Sequence, residues 1–393
     1  MIRNNEVAVL DIGSGTIRVA VAEKNNRSNI VIRGIGEIKY SGYFDGEWIE
    51  PEEMRQVILS AVSKAEFSSG VKIKKLYVGV PSEFTYSVCK EAALFFDRER
   101  EIGSGEVETL FRRNDKFEDN DEYETIDISA VYFLLSDNKR IIEPRGIMSD
   151  KIKALTSYVR CKKTFITEIR DLLSSVNIHA EFVSSVLAEI TYLFEPQQRD
   201  RYILFVDSGY LSTSVALLRG DGLLNLSSFS LGGGHITADI SEMFDLPFDE
   251  SEYLKERSDV AYADANARIR LNSIPNEEVL LKDVSDIVSA RLEDFAEEIS
   301  CAIKSGKYDC PQHVTLFLTG GGLSYIKGAK DFLSELIGRN VEIIAPNVPK
   351  YDKPHFSSLF GLINIAGVNI EAETEPKKGL INIFNKIIGG KGK

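Results

Sequence analysis

The hydrophobic pattern of the chain contains the same short motif twice. Residues 7–10 and 202–206 are apolar runs, and each run ends in an aspartate. A tight turn containing glycine and serine follows each aspartate, and strand-like stretches continue over 17–21 and 213–218. This pattern predicts two β-hairpins, each with an acid at the end of its first strand. Two copies in separate halves of the chain predict two facing domains.

The chemistry of these turns indicates phosphate binding. Small residues let backbone amides approach a phosphate, and a carboxylate can hold Mg²⁺ through its waters. We therefore expect the two turns to grip the phosphate tail of a nucleotide, with the two aspartates holding Mg²⁺. The expected contacts are Asp11, Gly13, Ser14, Gly15, Thr16, Asp207, Ser208, Gly209 and Thr213.

A third glycine-rich segment follows another predicted strand. Residues 314–318 are a buried-strand run, and 326–336 have the spacing of an amphipathic helix. Glycines between a strand and a helix let the backbone lie flat against a base or sugar. The residues expected to contact the nucleoside here are Gly320, Gly321, Gly322 and Leu323.

Composition and charge narrow the class of protein. The 393 residues are enough for two domains, and 43% hydrophobic with 27% charged residues is typical of a globular protein. The 47 basic against 60 acidic residues give a net charge of −13, which argues against a nucleic-acid binder.

Cysteine, histidine and the chain ends exclude further classes. The four cysteines form no CxxC pair and the four histidines are scattered, so neither a zinc site nor a disulfide framework is expected. The N-terminal residues lead directly into the first strand without a signal-peptide pattern. No stretch approaches the ~18 apolar residues of a membrane span, so we expect the protein in the cytoplasm.

The order of elements indicates an insertion within the first domain. A helix is predicted over 51–66 and a strand over 75–80, after which the pattern changes. Residues 84–162 mix short strands with a charged stretch, 97–127, which reads as a solvated loop or edge. Residues 163–183 then return to a helix and a strand of the first domain.

The sequence of hairpin, hairpin and strand-GGG-helix resembles the actin-like ATPase superfamily. The position of the insertion, the segment 144–149 and the segment 230–240 resemble the FtsA family of bacterial cell division. The last segment is similar to that family's GG-x-x-[IV]-T-x-D-I motif and adds Gly233 to the expected nucleotide site. The resemblance implies an α/β, actin-like (ribonuclease-H-like) two-domain fold with a small αβ insertion and a C-terminal amphipathic helix.

The resemblance also implies a division of the chain into subdomains. We expect a first actin-like subdomain over 1–83 and 163–200, an inserted subdomain over 84–162, a second actin-like subdomain over 201–228 and 310–366, a further subdomain over 229–309, a flexible linker over 367–378 and a membrane-targeting helix over 379–393.

Three further positions carry expectations from the family. Glu252 and Lys255 match a helix that related ATPases turn toward adenosine, although a surface ion pair would explain the same spacing. Arg291 interrupts an apolar helical stripe, in the region where FtsA receives the C-terminal peptide of its partner. By alignment, Ser184 stands where several relatives place an acid or amide that positions the attacking water.

The second phosphate turn departs from the family pattern. Tyr210 and Leu211 replace two glycines, and Ser214 replaces the final acid of the family's D-x-G-G-G-T-x-D. Bulky side chains block a close backbone approach to phosphate. Together with Ser184, these departures predict ATP binding with weak or absent hydrolysis.

The C-terminal tail is the second informative pattern. At helical spacing its apolar residues share one face, and lysines without acids follow from Lys377 onward. This predicts an interfacial helix on an anionic membrane, or alternatively a terminal helix docked on the protein itself. The residues expected at the membrane are Leu380, Ile381, Ile383, Phe384, Lys386, Ile387 and Ile388.

The resemblance implies an ATP-binding, membrane-attached adaptor. It would tether the tubulin-like filament protein FtsZ through its C-terminal peptide, bind other division proteins, self-associate, and lie on the cytoplasmic face of the membrane at midcell. Three rivals stay open: a PilM-like platform for pilus assembly, a sugar or acetate kinase, and an actin-like filament ATPase without an adaptor role.

Overall fold

The computed structural model describes residues 6–24, 30–113, 117, 122–262, 266–272 and 277–374. Within these residues, no helix has both the length and the apolar content needed to cross a membrane. The predicted membrane helix over 379–393 lies outside the described residues.

The first half is built on a five-stranded sheet of order β11-β6-β1-β2-β3. Its strands are β1 (Glu6–Ile12), β2 (Thr16–Lys24), β3 (Ile30–Lys39), β6 (Lys75–Val80) and β11 (His179–Ser184). Strand β1 pairs antiparallel with β2 and parallel with β6. The sheet is accompanied by the hairpin β4 (Tyr43–Phe44) and β5 (Glu47–Trp48), a 3₁₀ turn (Ser82–Phe84), and α1 (Pro51–Ser69), α3 (Lys163–Ser175), α4 (Ser185–Leu193) and α5 (Pro196–Arg199).

A second, four-stranded sheet interrupts the first half and has the order β7-β10-β8-β9. Its elements are β7 (Thr85–Glu101), α2 (Ser104–Arg113), β8 (Tyr123–Leu134), β9 (Arg140–Ile141) and β10 (Met148–Lys162). The prediction of a solvated loop over 97–127 is therefore wrong for much of this stretch. Helix α2 forms because Val107, Leu110 and Phe111 share one face and are buried in the insertion's own core.

The second half repeats the topology of the first. Its sheet has the order β14-β13-β12-β17-β18. The strands are β12 (Ile203–Ser208), β13 (Thr213–Arg219), β14 (Gly222–Phe229), β17 (Leu316–Thr319) and β18 (Val341–Ile343). As in the first half, the leading strand makes an antiparallel hairpin on one side and a parallel pair on the other. The two copies of the motif therefore occupy equivalent central positions in two sheets.

Helices and one small hairpin complete the second half. They are α6 (Gly233–Phe244), α7 (Phe248–Lys255), β15 (Arg268–Arg270), β16 (Glu278–Leu280), α8 (Leu281–Ser305), α9 (Ala329–Ile337), a 3₁₀ turn (Pro354–Phe356) and α10 (Ser357–Thr374). Val288, Leu292, Phe295 and Ile299 of α8 are buried with Ile236 of α6 in one core. This apolar stripe keeps α8 against α6.

Helix α10 belongs spatially to the first half. Its Leu359, Leu362 and Ile363 pack with Val9 of β1 and Ala188 of α4. The helix continues to Thr374, so the prediction of a flexible linker is wrong over 367–374. The alanine and glutamates near its end favour helix, which outweighs the scarcity of apolar anchors. The rest of the predicted linker, 375–378, lies outside the described residues.

Candidate functional site

The two predicted turns have the same backbone geometry. The N–H of Gly13 donates to the carbonyl of Thr16 at 3.0 Å, and the N–H of Gly209 donates to the carbonyl of Ser212 at 2.8 Å. These two glycine amides therefore close the hairpins themselves. The turns face each other across a cavity of ≈ 230 Å³ between the two halves.

The turns also contact each other directly. The N–H of Leu211 donates to Ser14 Oγ at 2.9 Å. The ring of Tyr210 lies against Gly15, where an added Cβ would stand 2.5 Å from Tyr210 Cδ1. It lies equally close to Gly234, where an added Cβ would be 2.9 Å from Tyr210 Cε2. Tyr210 therefore fills space between the first turn and the start of α6.

The start of α6 is tied to the second turn. The N–H groups of Gly233 and Gly234 donate to the carbonyls of Gly209 and Tyr210, at 2.9 and 2.7 Å. The positive end of a helix usually attracts anions through such amides. Here two of those amides are already bonded to the backbone of the turn.

Four carboxyl groups line the cavity, and one of them, Glu252, is paired with Lys255. Asp11 and Asp207 lie at the ends of β1 and β12, and Glu189 projects from α4. Burial raises the pKa of Asp207 to about 7, with a further contribution from the charge of Asp11. Burial, followed by the charges of Asp207 and Asp11, raises the pKa of Glu189 well above its ordinary value. The negative charge of Asp11 thus raises the pKa of Asp207, and the charges of both aspartates raise the pKa of Glu189. The cavity therefore favours a bound cation or proton.

Asp11 has its own partners. Its Oδ1 accepts a hydrogen bond from Ser358 Oγ at 2.7 Å, and its Oδ2 is 3.7 Å from Arg18 Nη1. Burial still raises its pKa, although Arg18 and Ser358 act in the opposite direction. Arg18 on β2 is the cation that would meet a phosphate group beside the first turn.

The donor set fits Mg²⁺ held through water. No three acidic, histidine or cysteine side chains of the described residues are grouped closely enough to bind a metal ion directly. Mg²⁺ keeps several waters and is usually held by one or two carboxylates plus substrate phosphates. Asp11 and Asp207 would hold the hydrated ion, which would neutralise phosphate charge.

The third glycine segment lies beside the second aspartate. Gly320 has a φ of +87°, and an added Cβ would stand 2.2 Å from Asp207 Oδ1. The N–H of Gly322 donates to the carbonyl of Ser208 at 2.7 Å. Only glycine permits this approach and this backbone conformation at position 320. The segment therefore fixes Asp207 as well as lining the cavity.

Glu252 and Lys255 form a partly buried network that lines the same cavity. Lys255 Nζ lies 2.7 Å from Glu252 Oε2 and also donates to the carbonyl of Gly233 at 3.0 Å and to Thr237 Oγ1 at 2.9 Å. Lys255 is only 5% exposed. The two residues form an ion pair, but Lys255 is buried and not at the surface as the alternative interpretation predicted, and the pair ties α7 to α6 at the cavity wall.

Four of the predicted residues serve packing or internal bonding. Ser208 and Thr213 are fully buried, and Thr213 donates to the carbonyl of Leu231 at 2.7 Å. Leu323 is buried in the core of the second half. Arg291 donates from Nε and Nη2 to the carboxylate of Asp239, both at 2.7 Å, which joins α8 to α6.

Sequence reasoning missed several cavity residues, notably Arg18, Ser185, Glu189 and Ser358. Glu189 could have been found, because it is a single acid in the otherwise apolar and neutral helix 185–193. Ser358 has no signal in the sequence, since α10 reaches the cavity only through the tertiary fold.

Ser184 does not line the cavity. Its side chain caps α4 by accepting from the N–H of Leu187 at 3.4 Å. Its own N–H donates to Asp127 Oδ2 at 2.7 Å. The partly buried Asp127 therefore holds the start of α4 from the insertion, and burial raises its pKa to about 7.

Asp127 should make stability depend on pH. Because its folded pKa of about 7 exceeds the ordinary 3.8, the folded state binds the proton more tightly than the unfolded state. Stability from this group is full at low pH and declines as pH rises toward 7, by about 4 kcal/mol at most. Asp127→Asn should therefore raise the melting temperature at pH 8, and the increase at pH 5 should be less than half as large. An equal shift at both pH values would contradict this, and the exposed Asp97→Asn is the control.

Comparisons with known proteins match this geometry. Residues 204–361 match the family model described as "Cell division protein FtsA". The chain is 23% identical to the cell division protein FtsA of Staphylococcus epidermidis over 369 residues, which cover 90% of this chain and 77% of that protein.

Solved structures match the fold over nearly the whole chain. A PilM-PilN type IV pilus biogenesis complex gives a TM-score of 0.62 at 15% identity, covering 93% of this chain and 99% of that chain. The structure of MreB 5 of Spiroplasma citri bound to AMPPNP gives a TM-score of 0.56 at 10% identity. The match covers 96% of this chain and 100% of that chain.

The duplicated sheets, the facing turns and these structural matches define an actin-like fold, and the predicted fold class is confirmed. Within that class, the chain is similar to the FtsA family of cell-division proteins, at low identity, and fits a divergent FtsA-like member. The resemblance identified from the hairpins and the segment 230–240 is thereby confirmed.

Proposed function

We propose that this protein is an ATP-binding, membrane-attached adaptor that tethers an FtsZ filament to the cytoplasmic face of the bacterial membrane at midcell. The observation that carries the nucleotide part is the pair of equivalent turns facing each other across one cavity with buried acids. In this proposal the phosphates lie between the turns, and the nucleoside lies toward Gly321, Glu252 and Lys255.

Electrostatics supports a magnesium nucleotide as the ligand. Arg18 and Lys255 supply cationic groups for phosphates, while Asp11 and Asp207 require a counter-charge when ionised. Mg²⁺ with a nucleotide tail satisfies both requirements. Bound Mg²⁺ would supply charge neutralisation at the phosphates, and the protein's own residues would supply orientation.

Hydrolysis should be slow in this proposal. The Tyr210 ring fills space between the first turn and the start of α6, and Ser184 is used as a helix cap. Both features reduce the fraction of molecules with the phosphates and a water molecule correctly placed.

The membrane, partner and self-association parts rest on the family and the tail. The C-terminal pattern from Leu380 to Ile388 provides the membrane contact, and anionic lipid would attract its lysines. A second cavity beside α8 offers a mixed surface for the FtsZ C-terminal peptide, bordered by apolar Phe244, Leu246 and Leu271 and by charged Arg268, Glu277, Glu278 and Asp283. Arg291 is bound to Asp239, so its role is to position α8 rather than to anchor the peptide. Self-association is assigned to the insertion, and other division proteins are expected partners.

Curated relatives favour FtsA over the PilM alternative. The relative named above covers 90% of the chain, whereas the PilM-PilN match is a likeness of fold at 15% identity. A PilM-like platform also has no need of an amphipathic C-terminus.

Lys255→Met tests the nucleotide site. The wild-type protein should bind a fluorescent ATP analogue in the presence of Mg²⁺ and release phosphate slowly. Loss of the buried ammonium should weaken binding about tenfold or more, because hydrogen bonds to charged groups contribute roughly 1.5–3 kcal/mol. Lys75→Met, which removes an ion pair with Glu181 outside the cavity, is the matched control.

Equal binding by Lys255→Met and the wild-type protein would remove Lys255 from the site. Absence of any binding by the wild-type protein would refute the nucleotide part. Rapid phosphate release would refute slow hydrolysis alone.

A further inference from the structure

Two polar side chains of α4 face the cavity without partners. Ser185 and Glu189 are one helical turn apart and both line the cavity. Among the described residues, Ser185 Oγ and Glu189 Oε2 are buried and have no hydrogen-bond partner. Glu189 is 1% exposed and Ser185 is 9% exposed. Unpaired polar atoms in a native structure call for an explanation such as a bound water.

The position of α4 is tightly fixed by its neighbours. An added Cβ on Gly361 of α10 would stand 2.6 Å from the carbonyl carbon of Ala188 and 2.7 Å from the N of Glu189. An added Cβ on Gly79 of β6 would stand 2.7 Å from Ser185 Oγ. Such close backbone packing leaves α4 little freedom to turn its polar face elsewhere. The packing of α4 therefore holds these unpaired atoms in the cavity wall.

A water molecule fits these atoms. Buried waters typically bind two to four polar groups in sites with polar walls. Ser185 Oγ and Glu189 Oε2 offer two such groups, and the carboxyl groups of Asp11 and Asp207 line the same cavity. Leaving both atoms unsatisfied would cost the desolvation free energy of each group.

In its ionised form, Glu189 is the carboxylate best placed to accept a proton from that water. Asp11 is already bonded to Ser358 and neighbours Arg18. Ser184, where relatives would place the water-positioning group, is used as the cap of α4. Glu189 keeps one carboxylate oxygen without a partner in the described part of the chain.

We propose that Glu189 is the catalytic proton acceptor for ATP hydrolysis in this protein and that Ser185 orients the attacking water. The inference rests on the nucleotide site proposed above. The water oxygen forms a bond to the γ-phosphorus, and the bond from that phosphorus to the β–γ bridging oxygen breaks. ADP leaves with the electron pair of that bond. One proton of the water passes to Glu189, and the other stays on the inorganic phosphate.

Glu189→Gln is the direct test, because it keeps the shape of the side chain and removes the basic oxygen. ATP binding is measured with a fluorescent analogue, and hydrolysis is measured in single turnover with excess full-length protein. We expect the wild-type rate to exceed that of ATP in buffer, and Glu189→Gln to lower it by about 100-fold or more. ATP affinity should stay within about threefold, since a proton acceptor acts mainly in the transition state.

Two more variants make the test specific. Ser185→Ala should lower the single-turnover rate by a smaller factor, about tenfold, and it carries the test if Glu189→Gln does not fold. Glu168→Gln is the matched control, because its carboxylate accepts from Trp48 Nε1 at 2.8 Å outside the cavity. This control should hydrolyse ATP at the wild-type rate.

Each outcome decides the inference. Wild-type hydrolysis by Glu189→Gln would overturn it, as would wild-type protein that binds ATP but hydrolyses it no faster than buffer does. In the latter case the proposed nucleotide binding would stand. Wild-type protein that binds no ATP would overturn the proposed function and this inference together.

Discussion

Replacing Tyr210 and Leu211 together by glycine should raise the affinity for Mg²⁺–ATP by about ten- to thirtyfold. In the present arrangement the Tyr210 ring contacts Gly15 of the first turn and Gly234 of α6. It also packs edge-on against Phe248, with ring centroids 6.3 Å apart. A phosphate group between the turns would require this ring to leave those contacts.

The size of the effect follows from the burial of the ring. Tyr210 is 39% exposed, so moving it into water removes part of the burial free energy of an aromatic side chain. Complete burial of a large apolar side chain contributes roughly 1.5–3 kcal/mol. The expected ten- to thirtyfold change in affinity corresponds to about 1.5–2 kcal/mol, which lies in the lower part of that range. The two glycines would also restore the small residues that permit close approach of the backbone.

Tyr210→Phe separates the ring from its hydroxyl group. This variant keeps the aromatic contact, so its ATP affinity should equal that of the wild-type protein. Isothermal titration calorimetry on the three proteins measures the difference. A loss of affinity in the double glycine variant would mean that Tyr210 contacts the nucleotide instead of obstructing it.

The local elements around the site could be predicted because their signals are short-range. An apolar run, an acid and a small turn specify a hairpin whatever the rest of the chain does. The predicted first strands of the two hairpins, 7–10 and 202–206, overlap β1 and β12. The glycines around Gly320 follow a buried strand, as expected. Repetition of the pattern then indicated two equivalent sheets.

Features that depend on packing between distant segments escaped prediction. Ser358 reaches Asp11 only because α10 returns to the first half, and the sequence separation of these residues hides the contact. Tyr210 was recognised as bulky, but its position between Gly15 and Gly234 depends on how the two halves close. Helix α2 was assigned to a loop because its many charges obscured three buried apolar residues.

Replacing Phe384 and Ile387 by glutamate should release the protein from anionic liposomes at every ionic strength. Both residues belong to the tail outside the described part of the chain, so the prediction comes from the sequence pattern. Burial of each side chain at the acyl boundary is worth roughly 1.5–3 kcal/mol. Each lysine near an anionic surface adds about 1 kcal/mol and is screened by salt. The apolar contribution should therefore dominate.

Neutralising Lys386 and Lys391 is the matched comparison for the membrane anchor. This change should weaken liposome binding mainly at low salt, because only the electrostatic attraction is lost. Co-sedimentation with vesicles of anionic lipid over a range of salt concentrations measures both variants. If the glutamate variant instead melts at a lower temperature without lipid, and the wild-type protein does not bind vesicles, the tail is a helix docked on the protein.

The single tail binds weakly by itself, so assembly of several copies on one filament should strengthen attachment through avidity. A mixture of wild-type protein and filament should then co-sediment with vesicles at a lower protein concentration than the wild-type protein alone.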